Sequence, residues 1–187
     1  MFLVKRAHEF ITKIVRPTDC VIDATIGNGY DTLFLAQLIN NSGHVYGFDI
    51  QKVALVNTAD LLQKHRLAHK VTLIQRGHQY MSDYFARHTV DEVSAIMFNL
   101  GYLPHGDKSI MTTSTSSVSA VTQSLLRVKN GGIVTIIAYP GHEGGRSETQ
   151  TLQQLIRQLD RNKFQTQTIT GDTSNNNSPL LFTILKK

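Results

Sequence analysis

The sequence predicts an α/β fold: a seven-stranded, mostly parallel sheet whose last strand runs antiparallel, with helices on both faces. Three observations carry that prediction. Apolar runs alternate with helical patterns along most of the chain. The run Val21 to Thr32, VIDATIGNGYDT, leads an apolar strand into a Gly-x-Gly turn and then a helix. The last two apolar runs are joined by Gly171 to Pro179, a polar stretch rich in Asn and Ser, instead of a helix, which reverses the final strand.

In chain order, Met1 to Val15 is amphipathic and carries Lys5, Arg6, His8 and Glu9, which predicts a helix on a core and not a secretion signal with an apolar centre. Strands are predicted at 20–24, 44–49, 71–75, 93–99, 132–138, 164–170 and 180–185. Helices are predicted at 30–39, 53–66, 81–87, 116–126 and 148–161, with stop signals at Asn40-Asn41-Ser42-Gly43 and Asn130-Gly131-Gly132. Thr112 to Ser117 reads as a helix entrance offering N-cap hydroxyls. No Pro- or Ser-rich linker divides the 187 residues, so residues 1–187 are read as one domain. The single Cys20 excludes a disulfide within the chain and fits a small buried apolar side chain. No run approaches a membrane span, which predicts a cytoplasmic protein, and a net charge of +5 suits a polyanionic partner.

The Gly-x-Gly turn alone also fits a tight structural bend; a second motif decides. Val45 to Gln51, VYGFDIQ, ends a strand on Asp49 about 20 residues after the glycines, where an acid accepts hydrogen bonds from both hydroxyls of a ribose. The pair predicts a nucleoside-bearing cofactor. Asp23, near the end of the first strand, would repel a pyrophosphate and favours a cation. S-adenosyl-L-methionine carries a sulfonium and an α-ammonium, and Asp23 with the amides around Gly27 to Gly29 is expected to hold its methionine end. No Lys-Ser or Lys-Thr pair follows the glycines, which excludes a phosphate-binding loop. The cofactor candidates are Asp23, Thr25, Gly27, Asn28, Gly29 and Asp31 from the turn, Asp49 and Gln51 from the second strand end, and Gly77 and His78 after the third.

After the fourth strand comes Asn99-Leu100-Gly101-Tyr102-Leu103-Pro104, similar to the Asn/Asp-Pro-Pro-Tyr element of amino-group methyltransferases. The Asn99 amide oxygen and the Leu100 carbonyl can both accept N–H bonds from a target amine and aim its lone pair, while Tyr102 stacks on a base. Leu100 and Gly101 replace the two prolines, which predicts a less rigid loop. After the fifth strand, Tyr139 to Arg146 reads as a substrate loop, with His142 and Glu143 as proton acceptors, Tyr139 as a stacking or hydroxyl group, Gly141 for close approach, and Arg146 as a phosphate contact. The eight histidines show no paired-His or Cys ligand spacing, so no metal is expected.

Taken together, DATIGNGYDT, FDIQ, FNLGYLP and YPGHEGG resemble the YtqB/MnmM-type family, often labelled rRNA methylases, over nearly the whole chain. The resemblance implies a Rossmann-like class I methyltransferase that uses S-adenosyl-L-methionine to convert 5-aminomethyl-2-thiouridine to 5-methylaminomethyl-2-thiouridine at the wobble position of bacterial tRNA. It also implies that Asn28, Asp49, Gln51 and His78 line the cofactor, and that Asn99, Tyr102, Tyr139 and His142 face the nucleotide. The expected partner is then the tRNA anticodon stem-loop, a splayed single strand suited to aromatic and basic contacts, with Lys5, Arg6, Arg76, Lys108 and Arg146 as phosphate candidates. A homodimer is compatible with a small enzyme gripping a long RNA, although no coiled-coil seam commits the chain to it. The motifs leave open an rRNA base N-methyltransferase of the same fold, a small-molecule or protein N-methyltransferase, and a noncatalytic nucleotide-binding module.

Overall fold

A computed structural model describes residues 2–88, 90, 92–101, 103, 111–141, 143–171 and 177–187. The chain alternates strands and helices in the order α1 (Phe2–Thr12), β1 (Cys20–Asp23), α2 (Tyr30–Leu38), β2 (His44–Asp49), α3 (Lys52–Lys64), β3 (Val71–Gln75), α4 (Met81–Phe85), β4 (Val93–Asn99), α5 (Ser114–Arg127), β5 (Val128–Ala138), α6 (Gly145–Arg157), β6 (Phe164–Thr170) and β7 (Leu180–Lys186). The seven strands form one sheet in the order β3-β2-β1-β4-β5-β7-β6. The first five run parallel, and β7 lies antiparallel between β5 and β6. The reversal follows from the short polar connection after β6, which is too brief for a crossover helix.

Strand alternation sorts side chains onto two faces. Ile22, Ile96, Phe98, Val134 and Ile136 pack with Met81 and Phe85 of α4, Val121 and Leu125 of α5, and Leu152 and Ile156 of α6. Their neighbours Val21, Ala95, Met97, Ile133 and Ile137 pack on the other face with Leu3, Ala7 and Ile11 of α1, Leu35 and Ala36 of α2, and Leu62 of α3. The buried residues of α1 recur at the helical spacing read from its sequence. The hydroxyl-rich tract also acts as expected, since the Thr113 side chain accepts from the Ser116 amide and Ser116 caps in return, starting α5 at Ser114.

Two details depart from expectation. Asn130-Gly131-Gly132 does not end a segment: β5 begins at Val128, which pairs with Val93, and a register shift opposite Ser94 absorbs the glycines before Ile133 meets Ala95. Cys20 is half-buried, because it opens β1 at the sheet's rim.

The strand order reverses between β1 and β4, so the chain leaves those neighbouring strands toward opposite sides and a crevice opens beyond their carboxyl ends. The turn after β1 needs its second glycine twice over. Gly29 has φ +79°, and an added Cβ would lie within van der Waals overlap of the Thr58 side chain on α3. Gly131 has a similar φ of +77° with nothing near its missing Cβ. Gly29→Ala is therefore expected to lose about 2 kcal/mol more stability in urea unfolding than Gly131→Ala, the difference being overpacking and not backbone strain.

Candidate active site

A cavity of about 970 Å³ fills the crevice and takes its wall from the end of each parallel strand. Thr25, Gly27, Asn28 and Asp31 follow β1; Asp49 and Gln51 close β2; Gly77 and His78 follow β3; Asn99, Leu100 and Gly101 follow β4; Tyr139 and Gly141 follow β5. The sequence candidates thus converge from five separate strand ends.

The acid after β2 is held in place by the backbone. Asp49 Oδ2 accepts the Gly27 N–H at 2.9 Å, and Oδ1 accepts the Gln51 N–H at 2.8 Å. Each oxygen keeps a further acceptor direction, so the carboxylate is oriented but not saturated. Thr25 joins the first motif to the β4 end, its hydroxyl oxygen accepting the Asn99 N–H at 2.7 Å. Among the described residues the cavity wall carries Asp31 and Asp49 and no Lys or Arg, a lining that suits a cation and opposes a pyrophosphate.

Asp23 needs correcting. It is 1% exposed and lies outside the cavity wall: the Thr25 amide donates to Oδ1 and the Thr32 hydroxyl to Oδ2, so it holds the turn together. Gly29 likewise packs against Thr58 without lining the cavity. Glu143 is exposed outside the wall, and Arg146 donates to the Asn177 side chain at 3.3 Å, so it reaches the cavity only through a neighbour. Tyr102, His142 and Lys108 lie outside the described residues.

The segment after β4 has Leu100 and Gly101 where the similar element has prolines, yet Gly101 is braced. The Gly101 N–H donates to Thr112 Oγ1 at 2.9 Å, the Thr112 N–H donates back to the Gly101 carbonyl at 2.9 Å, and the Thr112 hydroxyl donates to Glu148 Oε2 at 3.0 Å. Glu148, buried in the first turn of α6, also takes the Ser117 hydroxyl. At the Gly101 end of the loop, hydrogen bonds to Thr112, anchored in turn on Glu148 of α6, supply a restraint of another kind than proline rings. Sequence reading had no signal for this clasp: Thr112 is eleven residues from Gly101 and Glu148 thirty-six from Thr112. It also missed Tyr30, Phe48, Ile50 and Leu103 in the wall, which read as ordinary apolar positions.

Two buried groups in this region titrate abnormally and in opposite senses. Burial, reinforced by Asp31, pushes the Asp23 carboxyl up to about 7 against the hydrogen bonds from Thr32 and Thr25. Burial pushes the His78 imidazole down to about 4, although the Ala24 carbonyl, 3.2 Å from Nδ1, favours its protonated form. Nδ1 is the donor to that carbonyl, so Nε2 is the acceptor of the neutral ring. As pH falls from about 6.5 to 4, unfolded chains protonate the histidine and native ones do not, which lowers stability. As pH falls from about 7 to 3.8, native chains protonate Asp23 before unfolded ones, which raises it. His78→Asn should leave a protein that gains stability on acidification over that window, and Asp23→Asn one that loses it, as read by urea unfolding at pH 4.5 and 7.

Comparison with known proteins identifies the fold and the family. Residues 45–185 match the family model described as "Putative rRNA methylase". A Clostridium thermocellum structure described as "putative rRNA-methylase" superposes with TM-score 0.92 at 39% identity, covering 98% of this chain and 97% of that one. A Streptococcus mutans structure described as a "putative methyltransferase", solved with SAH, superposes with TM-score 0.86 at 30% identity over 98% of this chain and 97% of that one. The chloroplastic tRNA (mnm5s2U34)-methyltransferase of Arabidopsis thaliana is 36% identical over 155 residues, 79% of this chain, and the chain spans only 56% of that relative's length. The fold is that of the Rossmann-like methyltransferases, and the chain belongs to the rRNA methylase family.

Proposed function

We propose that residues 1–187 act as a single S-adenosyl-L-methionine-dependent RNA methyltransferase domain that converts 5-aminomethyl-2-thiouridine to 5-methylaminomethyl-2-thiouridine at the tRNA wobble position. The observation that carries the reading is a wall that, among the described residues, bears Asp31 and Asp49 but no Lys or Arg, around an amide-bearing strand end. The similarity to the Arabidopsis thaliana enzyme supports the choice of acceptor.

The donor set fits the cofactor: Asp49 offers two oriented oxygens to ribose hydroxyls, Gln51, Gly77 and His78 flank it, and Asn28 and Asp31 face the cationic end. When bound, S-adenosyl-L-methionine supplies an electrophilic methyl on a sulfonium that leaves as a neutral thioether. The rest falls to the chain. A primary alkylammonium has a pKa of about 10.4 and no lone pair, so it must lose a proton before it can attack. Asn99 Oδ1 and the Leu100 carbonyl accept N–H bonds of the neutral amine and orient its lone pair, and water or His142 removes the proton. Leu100 is fixed for this by its own N–H, which donates to the Ile137 carbonyl at 2.8 Å. Tyr102 and Tyr139 supply stacking surface for the base, with Gly141 leaving room beside it.

A ribosomal RNA acceptor is the second reading, favoured by the family's description and by a 28% match over 98 residues to ribosomal RNA small subunit methyltransferase H of Oceanobacillus iheyensis, of which that match spans 30%. Nucleoside mass spectrometry on tRNA and rRNA from cells lacking the protein, before and after incubation with it, separates the two. The methyl is expected on wobble uridine, and its appearance on rRNA alone overturns the tRNA assignment. Asn99→Ala is expected to lower kcat roughly 100-fold with cofactor affinity little changed. Asp49→Ala should weaken cofactor binding by calorimetry roughly 10- to 100-fold. The reverse ranking refutes the division of roles.

A further inference from the structure

Helix α1 touches the site through one side chain. His8 lies flat on Phe34 of α2, with ring centroids 3.6 Å apart and planes 4° from parallel, and its Nε2 is 2.7 Å from Oδ1 of Asp31. A carboxylate oxygen only accepts, so Nε2 carries the proton and donates it. The other oxygen, Oδ2, faces Nδ2 of Asn99 at 3.5 Å, the outer limit of a hydrogen bond. Asp31 is almost wholly buried and lines the cavity, whereas the His8 side chain is 24% exposed at the outer edge.

This chain decides which end of the Asn99 amide is available. A half-turn about the terminal torsion would exchange Nδ2 for Oδ1 and bring an amide oxygen against a carboxylate, which is repulsive. With Asp31 fixed, Nδ2 is committed to it and Oδ1 is the end left for a target N–H. Asp31 on its own could rotate away. The stacked, hydrogen-bonding imidazole prevents that.

We propose that His8 is a positioning residue for methyl transfer: it pins Asp31, which fixes the Asn99 amide with its oxygen toward the acceptor nitrogen. The kinetic part rests on the proposed function, and the orientation of the amide does not. His8→Ala removes one hydrogen bond and one stacking contact at the surface, and His8→Gln retains an N–H donor of similar reach.

The test has two arms. In ¹⁵N-labelled protein without ligands, the Asn99 side-chain amide resonance, assigned by its loss in Asn99→Asp, is expected to shift in His8→Ala and to return toward its original position in His8→Gln. In turnover with whichever RNA the wild type methylates, His8→Ala is expected to lose roughly 10- to 100-fold in kcat, with KM for RNA within twofold of wild type and calorimetric SAH affinity falling by much less than the rate, since Asp31 also faces the cofactor's cationic end, and His8→Gln to recover at least half of the rate. An unmoved Asn99 resonance overturns the proposal, as does a kcat for His8→Ala within twofold of wild type or a matching loss of SAH affinity. If the wild type methylates no wobble uridine, the functional reading fails while the resonance still decides the positioning claim.

Discussion

The Asp49 carboxylate, clasped between the Gly27 and Gln51 amides, is the constraint on which the rest of the site depends. It ties the glycine turn after β1 to the start of α3, two pieces of chain that the sheet alone would leave free to splay. An acid placed there has its amide partners supplied by the fold before any ligand arrives. It therefore needs little reorganisation to receive two hydroxyls, which is the energetic content of preorganisation. The turn is fixed from its other side as well: Gly29 packs against Thr58 of α3, and Asp23 gathers the Thr25 amide and Thr32 hydroxyl beneath it. A carboxyl so deeply buried is stabilised in its neutral form, so it serves as a structural hub and leaves the negative charge in the cavity to Asp31 and Asp49.

The β4 end shows the same logic with different chemistry. Proline rings restrict a loop by removing backbone freedom, whereas here the two-way bond between Gly101 and Thr112, anchored on Glu148, holds Gly101 by cross-linking. The second solution couples the loop to the entrances of α5 and α6, since Thr112 precedes one helix and Glu148 stands in the first turn of the other. Three elements distant in sequence then share one network, and a disturbance in any of them reaches the strand end that bears Asn99.

What the sequence made legible was whatever repeats at short range. Continuous apolar runs gave the strands, the i, i+4 spacing of Leu3, Ala7 and Ile11 gave the first helix, and the polar segment before β7 gave the antiparallel end of the sheet. Turn motifs located Gly27, Asp49 and Asn99 because each must stand just past a strand end, where parallel sheets open. Partnership across the fold was not legible. Asp23 and Asp31 are both acids near one turn, and only tertiary burial separates the one outside the cavity wall from the one in it. Nothing in a helix facing solvent on one side announced that His8 would meet an acid twenty-three residues on. The glycines at 131 and 132 misled because a bulge and a stop use the same residues, and only the partner strand's register tells them apart.

Charge is distributed to match the proposed task. The chain carries a net charge of +5, yet the described cavity wall holds two carboxylates and no Lys or Arg. A polyanion is attracted to the molecule as a whole and repelled from its interior, so phosphates settle at the rim. A cationic group experiences the reverse, and inside a low-dielectric crevice the attraction is stronger than the same charges would feel in water. A nucleotide whose base ends in an aminomethyl ammonium meets both conditions at once: its backbone stays outside while its one positive group is drawn in. With S-adenosyl-L-methionine bound, its sulfonium would disfavour a second positive charge and lower the ammonium's pKa, so the field that admits the group would not have to hold it protonated. On the proposed function, the acidic wall would favour entry of the substrate in its charged form, and its deprotonation would be easier with the sulfonium of a bound cofactor alongside.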